Sequence, residues 1–184
     1  MSWASNPFGG QNVQADVAHR EDGFADFFTS RFDGARRMAH ALCGNWLEAE
    51  EIAQTAFVSM YGRWNKVRIE SADAYLHTVL TRAFLDTKRR GRRREQVMAE
   101  PPEVVVEQDT SSVEDRPSLL KALQAVPARQ RAVLVLRFIE DLSVEEVADT
   151  LGCTTGTVKS QTARGLATLR KAYGAVTGLL QAAG

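Results

Sequence analysis

Little in this chain points to catalysis, metal binding or a membrane. It has two cysteines, Cys43 and Cys153, far apart in sequence, and three histidines, His19, His40 and His77, with no nucleophile beside them. There is no CxxC and no Cys/His group, so neither a zinc site nor a disulfide framework is expected, and no cofactor. The two thiols are expected to be small buried side chains. GxGxxG, P-loop, HExxH and GxSxG patterns are all absent, which removes the commonest signatures of nucleotide binding, metalloproteolysis and hydrolysis. No run approaches the roughly 18 apolar residues of a membrane span. The opening stretch, MSWASNPFGGQNVQADVAHREDG, has no apolar core of a secretory leader. A cytoplasmic protein that is not an enzyme and takes no small-molecule substrate is expected. Net charge is missing too: 23 basic residues face 23 acidic ones. Taken alone, that balance argues against a nucleic-acid binder.

The distribution of charge changes that reading. Lys88 to Arg94 reads KRRGRRR, six basic residues in seven. Glu95 to Asp115 then carries Glu95, Glu100, Glu103, Glu107, Asp109, Glu114 and Asp115 with no Lys or Arg. Segregated blocks of this kind suggest separate partners for separate segments, although a basic run is as often a solvated face. Residues 95–117 also hold three prolines and a Ser/Asp cluster, so they are expected to be an acidic, flexible linker. At about 3.3 Å per residue, 20 extended residues reach roughly 65 Å.

Both flanking halves show helical periodicity and no confident strand pattern. Residues 1–20 lack periodicity and are expected to be a disordered tail. In FADFFTSRFDGARRMAHALCG, Phe24, Phe27, Phe28, Phe32, Ala35, Met38, Ala39 and Leu42 recur at three-and-four spacing, and Gly44-Asn45 reads as a stop. In LEAEEIAQTAFVSMYGRW, Ile52, Ala53, Ala56, Met60 and Trp64 form one stripe, with Glu48, Glu50 and Glu51 in the first turn, where the helix dipole favours acids. Ser71 or Asp73 is a plausible N-cap for the next helix. That helix is expected to bury Leu76, Val79, Leu80, Ala83 and Phe84, leaving His77, Thr78, Thr81, Arg82 and Lys88 on its other side.

The C-terminal half is more specific. PARQRAVLVLRFIED is expected to start with Pro127 at the first helical position. SVEEVADTLG opens with a capping box, Ser143 and Glu146, and closes at Gly152. TTGTVKSQTARGLATLRKAYGAV follows, with Val158, Leu166, Leu169, Tyr173 and Val176 on its buried stripe. A short capped helix, a glycine turn and a Thr-led second helix read as a helix-turn-helix, whose second helix presents its first residues to base edges. Gly156, Thr157, Ser160 and Arg164 lie opposite Val158, with Thr155 at the helix start and Lys159 flanking them. Arginine reads guanine with two hydrogen bonds and Ser or Thr reads bases or phosphates, whereas Lys159 suits a phosphate.

LSVEEVADTLGCTTGTVKSQTARGLATLR closely resembles region 4 of the extracytoplasmic-function sigma factors, a branch of the bacterial sigma-70 family. The GTVKS core with Arg164 four residues later carries the resemblance; Gln161 stands where many members have Arg. Ala49-Glu50-Glu51-Ile52-Ala53-Gln54-Thr55-Ala56-Phe57 is similar to the acidic helix of the family's region 2, with Glu51 where Asp is usual. DAYLHTVLTRAFLDTKRRGRRR resembles the DNA-binding end of that region.

The resemblance implies an all-α protein of two small helical domains. Residues 21–94 would form region 2 and 118–184 region 4, joined by the acidic linker. It implies a dissociable subunit of RNA polymerase that recognises −35 and −10 promoter elements and promotes opening. Glu48, Glu51, Gln54, Thr55 and Val58 would dock on core polymerase, on its β and β′ subunits, where acids suit a basic coiled coil. Asn65, Lys66, Arg68, Ser71 and Tyr75 would capture a −10 base flipped from the stack, with Thr78, Arg82, Lys88 and Arg89 on the adjoining backbone. Trp64 could stack as well, but a core position suits it better. Promoter DNA and an anti-sigma factor are the further partners implied. A helix-turn-helix regulator working without polymerase is the alternative; a response regulator would need alternating strands and helices, which are not there.

Overall fold

The structure, a computed structural model, describes residues 10–97 and 116–182, with side chains placed within 23–93 and 119–175. The described residues form helices α1 (Gly10–Cys43), α2 (Trp46–Tyr61), α3 (Ala72–Val97), α4 (Arg116–Gln124), α5 (Ala128–Phe138), α6 (Val144–Leu151) and α7 (Thr155–Ala182). Two single 3-10 turns, Trp64–Lys66 and Ile69–Ser71, lead into α3. Among the described residues there is no strand. α1 starts at Gly10, so the backbone of residues 10–20 is helical rather than a tail. Once the amphipathic part nucleates, each added residue costs little, and Ala, Val and Gln tolerate the extension. Residues 1–9 and 98–115, which hold the rest of the expected tail and most of the acidic segment, lie outside the described residues.

α1, α2 and α3 pack together as the N-terminal half. Gly44 ends α1 with a φ of 82°, a left-handed turn that suits glycine. Asn45 then caps α2 by accepting a hydrogen bond at Oδ1 from the Glu48 backbone N–H at 2.9 Å. α2 buries Ala49, Ile52, Ala53, Ala56, Phe57 and Met60, and its alanines let α1 approach closely. The aromatics of α1 gather where α2 ends: Phe24 and Phe27 each lie 5.3 Å from the Trp64 ring, and Phe28 stands edge-on to Phe57 at 5.0 Å. Trp64 is thus a half-buried packing residue. Neither expected cap of α3 caps it through its side chain. The Ser71 hydroxyl donates to the Arg68 carbonyl, and the Asp73 carboxylate binds Arg31 at 2.7 Å, tying the start of α3 to α1.

The C-terminal half packs α4, α5 and α6 against α7. Pro127 occupies the N-cap, with φ −53° and ψ 139°, and α5 starts one residue later than expected. Its extended ψ places Pro127 outside the helix. The two helical domains pack against each other. A single hydrophobic core runs from Leu42, Met60 and Phe84 in one half to Val126, Leu136, Val147 and Val158 in the other.

Arg131 sits in the seam, 7 % exposed. Its guanidinium donates to the Leu42 carbonyl at 2.6 Å, to the Gln124 carbonyl at 2.8 Å and side chain, and to the Val126 carbonyl at 3.0 Å. It also faces the Phe84 ring at 5.9 Å. Gln124 adds a second bond across the seam, from Nε2 to the Ala41 carbonyl. The Leu42 and Ala41 carbonyls belong to the last turn of α1, which lacks intrahelical donors and favours a cation.

Candidate nucleic-acid interface

The helix-turn-helix is built from local chemistry. The Ser143 hydroxyl accepts from the Glu146 N–H at 3.1 Å, while the Glu146 carboxylate accepts from the Ser143 N–H at 2.7 Å. The Ser143 N–H, and then its hydroxyl, hold the Glu146 carboxyl below its usual range. Gly152 ends α6 in the left-handed region, φ 61° and ψ 47°. Val158 is fully buried and pins the first turn of α7. Gly165 lets α7 lie against α5, since a Cβ there would come within 3.2 Å of Leu134.

This frame leaves Thr155, Gly156, Thr157, Lys159, Ser160 and Arg164 exposed along one end of α7. Thr154 is the residue the sequence pattern missed. Its Oγ1 accepts from the Thr157 N–H at 3.2 Å and lies 2.9 Å from the Thr157 hydroxyl, so it caps α7. The signal was present as a Thr three residues before Thr157. Ser160 donates to the Thr157 carbonyl. No side chain of the described residues engages the Arg164 guanidinium or Lys159. This end of α7 therefore offers a cation, hydroxyls and a small glycine surface to a groove.

The second set of candidates is split. Asn65, Lys66, Arg68 and Ser71 are exposed on the two 3-10 turns, and Arg68 meets Glu70 at 3.5 Å. Tyr75 is half-buried against the core. Thr78 is half-buried too, and its hydroxyl donates to the Ala74 carbonyl. Arg82 is exposed, and Arg89 pairs with Asp86 at 3.2 Å. The side of α3 expected to face out is in fact partly covered: Thr81 is 1 % exposed, and His77 Nε2 lies 3.3 Å from Glu140 Oε2 of the other half. Periodicity marks that side polar, but the second half packs on it.

The third set also needs one correction. Glu51, Gln54, Thr55 and Val58, with Ser59, line a shallow exposed depression on α2. Glu48, in helical register with Glu51 and Thr55, is already paired: Lys88 reaches it at 2.8 and 3.1 Å, with both side chains half-buried. Two residues expected at different sites thus neutralise each other. The exposed stripe instead includes Leu47 (72 %), Val58 (72 %) and Tyr61 (54 %). Leu47, Glu51, Gln54, Val58 and Tyr61 follow at helical spacing, a signal readable in the sequence. Cys43 is buried as expected, whereas Cys153 is only half-buried.

Known proteins resemble this arrangement in both halves. The family model for Sigma-70 region 2 matches residues 28–94, and that for Sigma-70, region 4 matches residues 116–169. The RNA polymerase sigma-E factor of Streptomyces avermitilis is 37% identical over 150 residues, covering 80% of this chain and 83% of the relative. The ECF RNA polymerase sigma factor SigW of Bacillus subtilis is 29% identical, covering 82% of this chain and 89% of the relative. The sigma factor RpoE of Bartonella quintana, solved with the anti-sigma factor NepR, shares the fold with a TM-score of 0.65 at 24% identity, covering 82% of this chain and 96% of RpoE. No helix among the described residues is long and apolar enough to cross a membrane. The chain belongs to the sigma-70 family of RNA polymerase sigma factors, in its extracytoplasmic-function branch.

Proposed function

We propose that this chain acts in the cytoplasm as a dissociable, non-enzymatic specificity subunit of RNA polymerase. The observation that carries this reading is the joint presence of two surfaces on one chain. The exposed start of α7 is shaped to read duplex DNA, and the exposed stripe of α2 suits a protein partner. Thr155, Gly156, Thr157, Ser160 and Arg164 would contact the −35 element, with Lys159 on phosphate. Asn65, Lys66, Arg68 and Ser71 would hold unpaired −10 bases beside Tyr75, with Thr78, Arg82 and Arg89 along the backbone. Glu51, Gln54, Thr55 and Val58, joined by Leu47 and Tyr61, would dock on core polymerase through its β and β′ subunits. The NepR complex of the Bartonella sigma factor supports an anti-sigma factor as a further partner.

Run-off transcription tests this reading. Purified chain, bacterial core polymerase and a pool of promoter fragments from the source genome should give discrete start sites that require the chain. Duplex binding by the chain alone, with no transcript, would favour an ordinary repressor or activator. Arg164→Ala should weaken −35 binding by roughly 1–3 kcal/mol and relax preference at one base pair. Lys159→Ala should weaken all sequences alike and flatten the salt dependence. An Arg164→Ala chain with unaltered affinity and preference would remove that residue from base contact.

A further inference from the structure

The segment that carries Asn65, Lys66, Arg68 and Ser71 has little core of its own. Of residues 65–71 only Val67 is half-buried; the rest are exposed, and Ile69 is 79 % exposed. Its backbone bonds are short-range turns, from the Val67 N–H to the Trp64 carbonyl at 3.1 Å and from the Ser71 N–H to the Arg68 carbonyl at 3.0 Å. Such turns do not fix where the segment points. That is decided where it is attached.

Both ends are fastened to α1. At the near end, the Trp64 ring packs against Phe24 and Phe27, each at 5.3 Å. At the far end Ala72 is buried as α3 begins. Arg31 donates there from Nε to Asp73 Oδ1 at 2.7 Å and from Nη2 to Asp73 Oδ2 at 3.1 Å. Phe24, Phe27 and Arg31 follow at three-and-four spacing, so they share one side of α1. The two-point bond fixes direction as well as distance, because the planar guanidinium must lie along the carboxylate. It holds the Asp73 carboxyl below its usual range, so the pair stays charged at neutral pH. Each side chain is about half exposed, so the pair adds little to overall stability. Its consequence is positional.

We infer that Arg31 is a positioning residue for −10 capture: through Asp73 it sets the angle at which residues 65–71 meet the unpaired base. The inference rests on the sigma reading for what the segment captures, and on geometry alone for the anchoring. A segment already held in its binding conformation has less freedom to lose when DNA arrives, and the difference appears as affinity. In this role Arg31 is engaged by Asp73 and touches no DNA. The sign of the Asp73 effect follows. Removing an acid beside a DNA-binding segment ordinarily strengthens attraction to a polyanion. Here it should weaken binding, because the anchor is lost.

Holoenzyme assembled from core polymerase and the full chain tests this by fluorescence anisotropy over a range of salt. The probe is forked DNA taken from the run-off start sites, with an unpaired −10 strand. Arg31→Ala and Asp73→Asn should each weaken binding about three- to fivefold, the upper range for an exposed pair. The double variant should lose no more, as for two residues acting through one contact. The salt slope should match wild type, whereas a lost phosphate contact would flatten it by about 0.7 for a single strand. Arg31→Lys keeps the charge but not the two-point bond, and should behave as Arg31→Ala. Circular dichroism verifies that each variant folds. Asp73→Asn binding as well as wild type or better overturns the inference. So does a flattened salt slope, or an Arg31→Lys chain that binds as wild type. Amide hydrogen exchange reads the anchoring without DNA: Arg31→Ala should speed exchange at Lys66, Val67 and Ser71 about threefold or more, with α2 unchanged. Unaltered exchange also overturns it. Absence of start sites strikes the sigma reading, while exchange still decides whether Arg31 anchors the segment.

Discussion

Cys43 and Cys153 are alike in sequence but differ in surroundings. Cys43 is buried where α1 ends and donates from Sγ to the Asn45 carbonyl at 3.1 Å. Burial pushes its thiol up from the ordinary 9.0 to about 11, with the nearby Glu48 adding to the rise. Because the folded value lies above the unfolded one, the neutral buried thiol stabilises the fold below pH 9. That contribution is lost as pH climbs from about 9 toward 11. Reactivity follows the thiolate, so iodoacetamide at pH 8 should label half-buried Cys153 at least tenfold faster than Cys43, as read by peptide mass spectrometry. Equal rates in the folded chain would mean that Cys43 is not shielded. Glu48 and Lys88 carry the same lesson about surroundings: a charge is free for a partner only if no neighbour in the fold has claimed it.

At the scale of helices, what was legible in the sequence was what is encoded locally. The capping box at Ser143 and Glu146, the glycine stop at Gly152 and the buried Val158 lie within one short stretch, and each appears where the residues place it. The contacts that escaped the sequence are distant. Arg131 reaches Leu42 across 89 positions, and Lys88 reaches Glu48 across 40. Periodicity marks α3 as two-sided, but it cannot say that another domain covers the polar side. Glycines in α7 show the same split between local and distant causes. A methyl group added at Gly174 would meet nothing within 4 Å, so Gly174→Ala should stabilise the chain by about 0.5–1 kcal/mol through helix propensity. At Gly165, larger side chains meet Leu134, which is 3 % exposed. Gly165→Val should cost roughly 1–3 kcal/mol by overpacking against α5. Thermal unfolding of both variants decides the point: matched shifts would show that α5 and α7 do not need the close approach.

The whole molecule is held as one unit by a shared core and by polar ties across the seam. Buried residues of α1, α2 and α3 continue into those of α5, α6 and α7, and the seam adds the Arg131 bonds and the His77–Glu140 pair. Units that share a core unfold together when their interface is strong relative to the stability of each alone. His77 Nδ1 and Thr81 Oγ1, buried without hydrogen-bond partners at this seam, reduce its strength, while Arg131 holds it against that cost. The wild-type chain should therefore show a single calorimetric transition whose van't Hoff and calorimetric enthalpies agree. Removing the outer tie with Glu140→Lys leaves the cores of both halves intact, since the residue lies in a turn. That variant should resolve into two transitions, with region 4 and region 2 melting separately. Two transitions in the wild type would mean that the halves are already independent. A single transition in the variant would mean that the shared apolar core, rather than the polar ties, couples them.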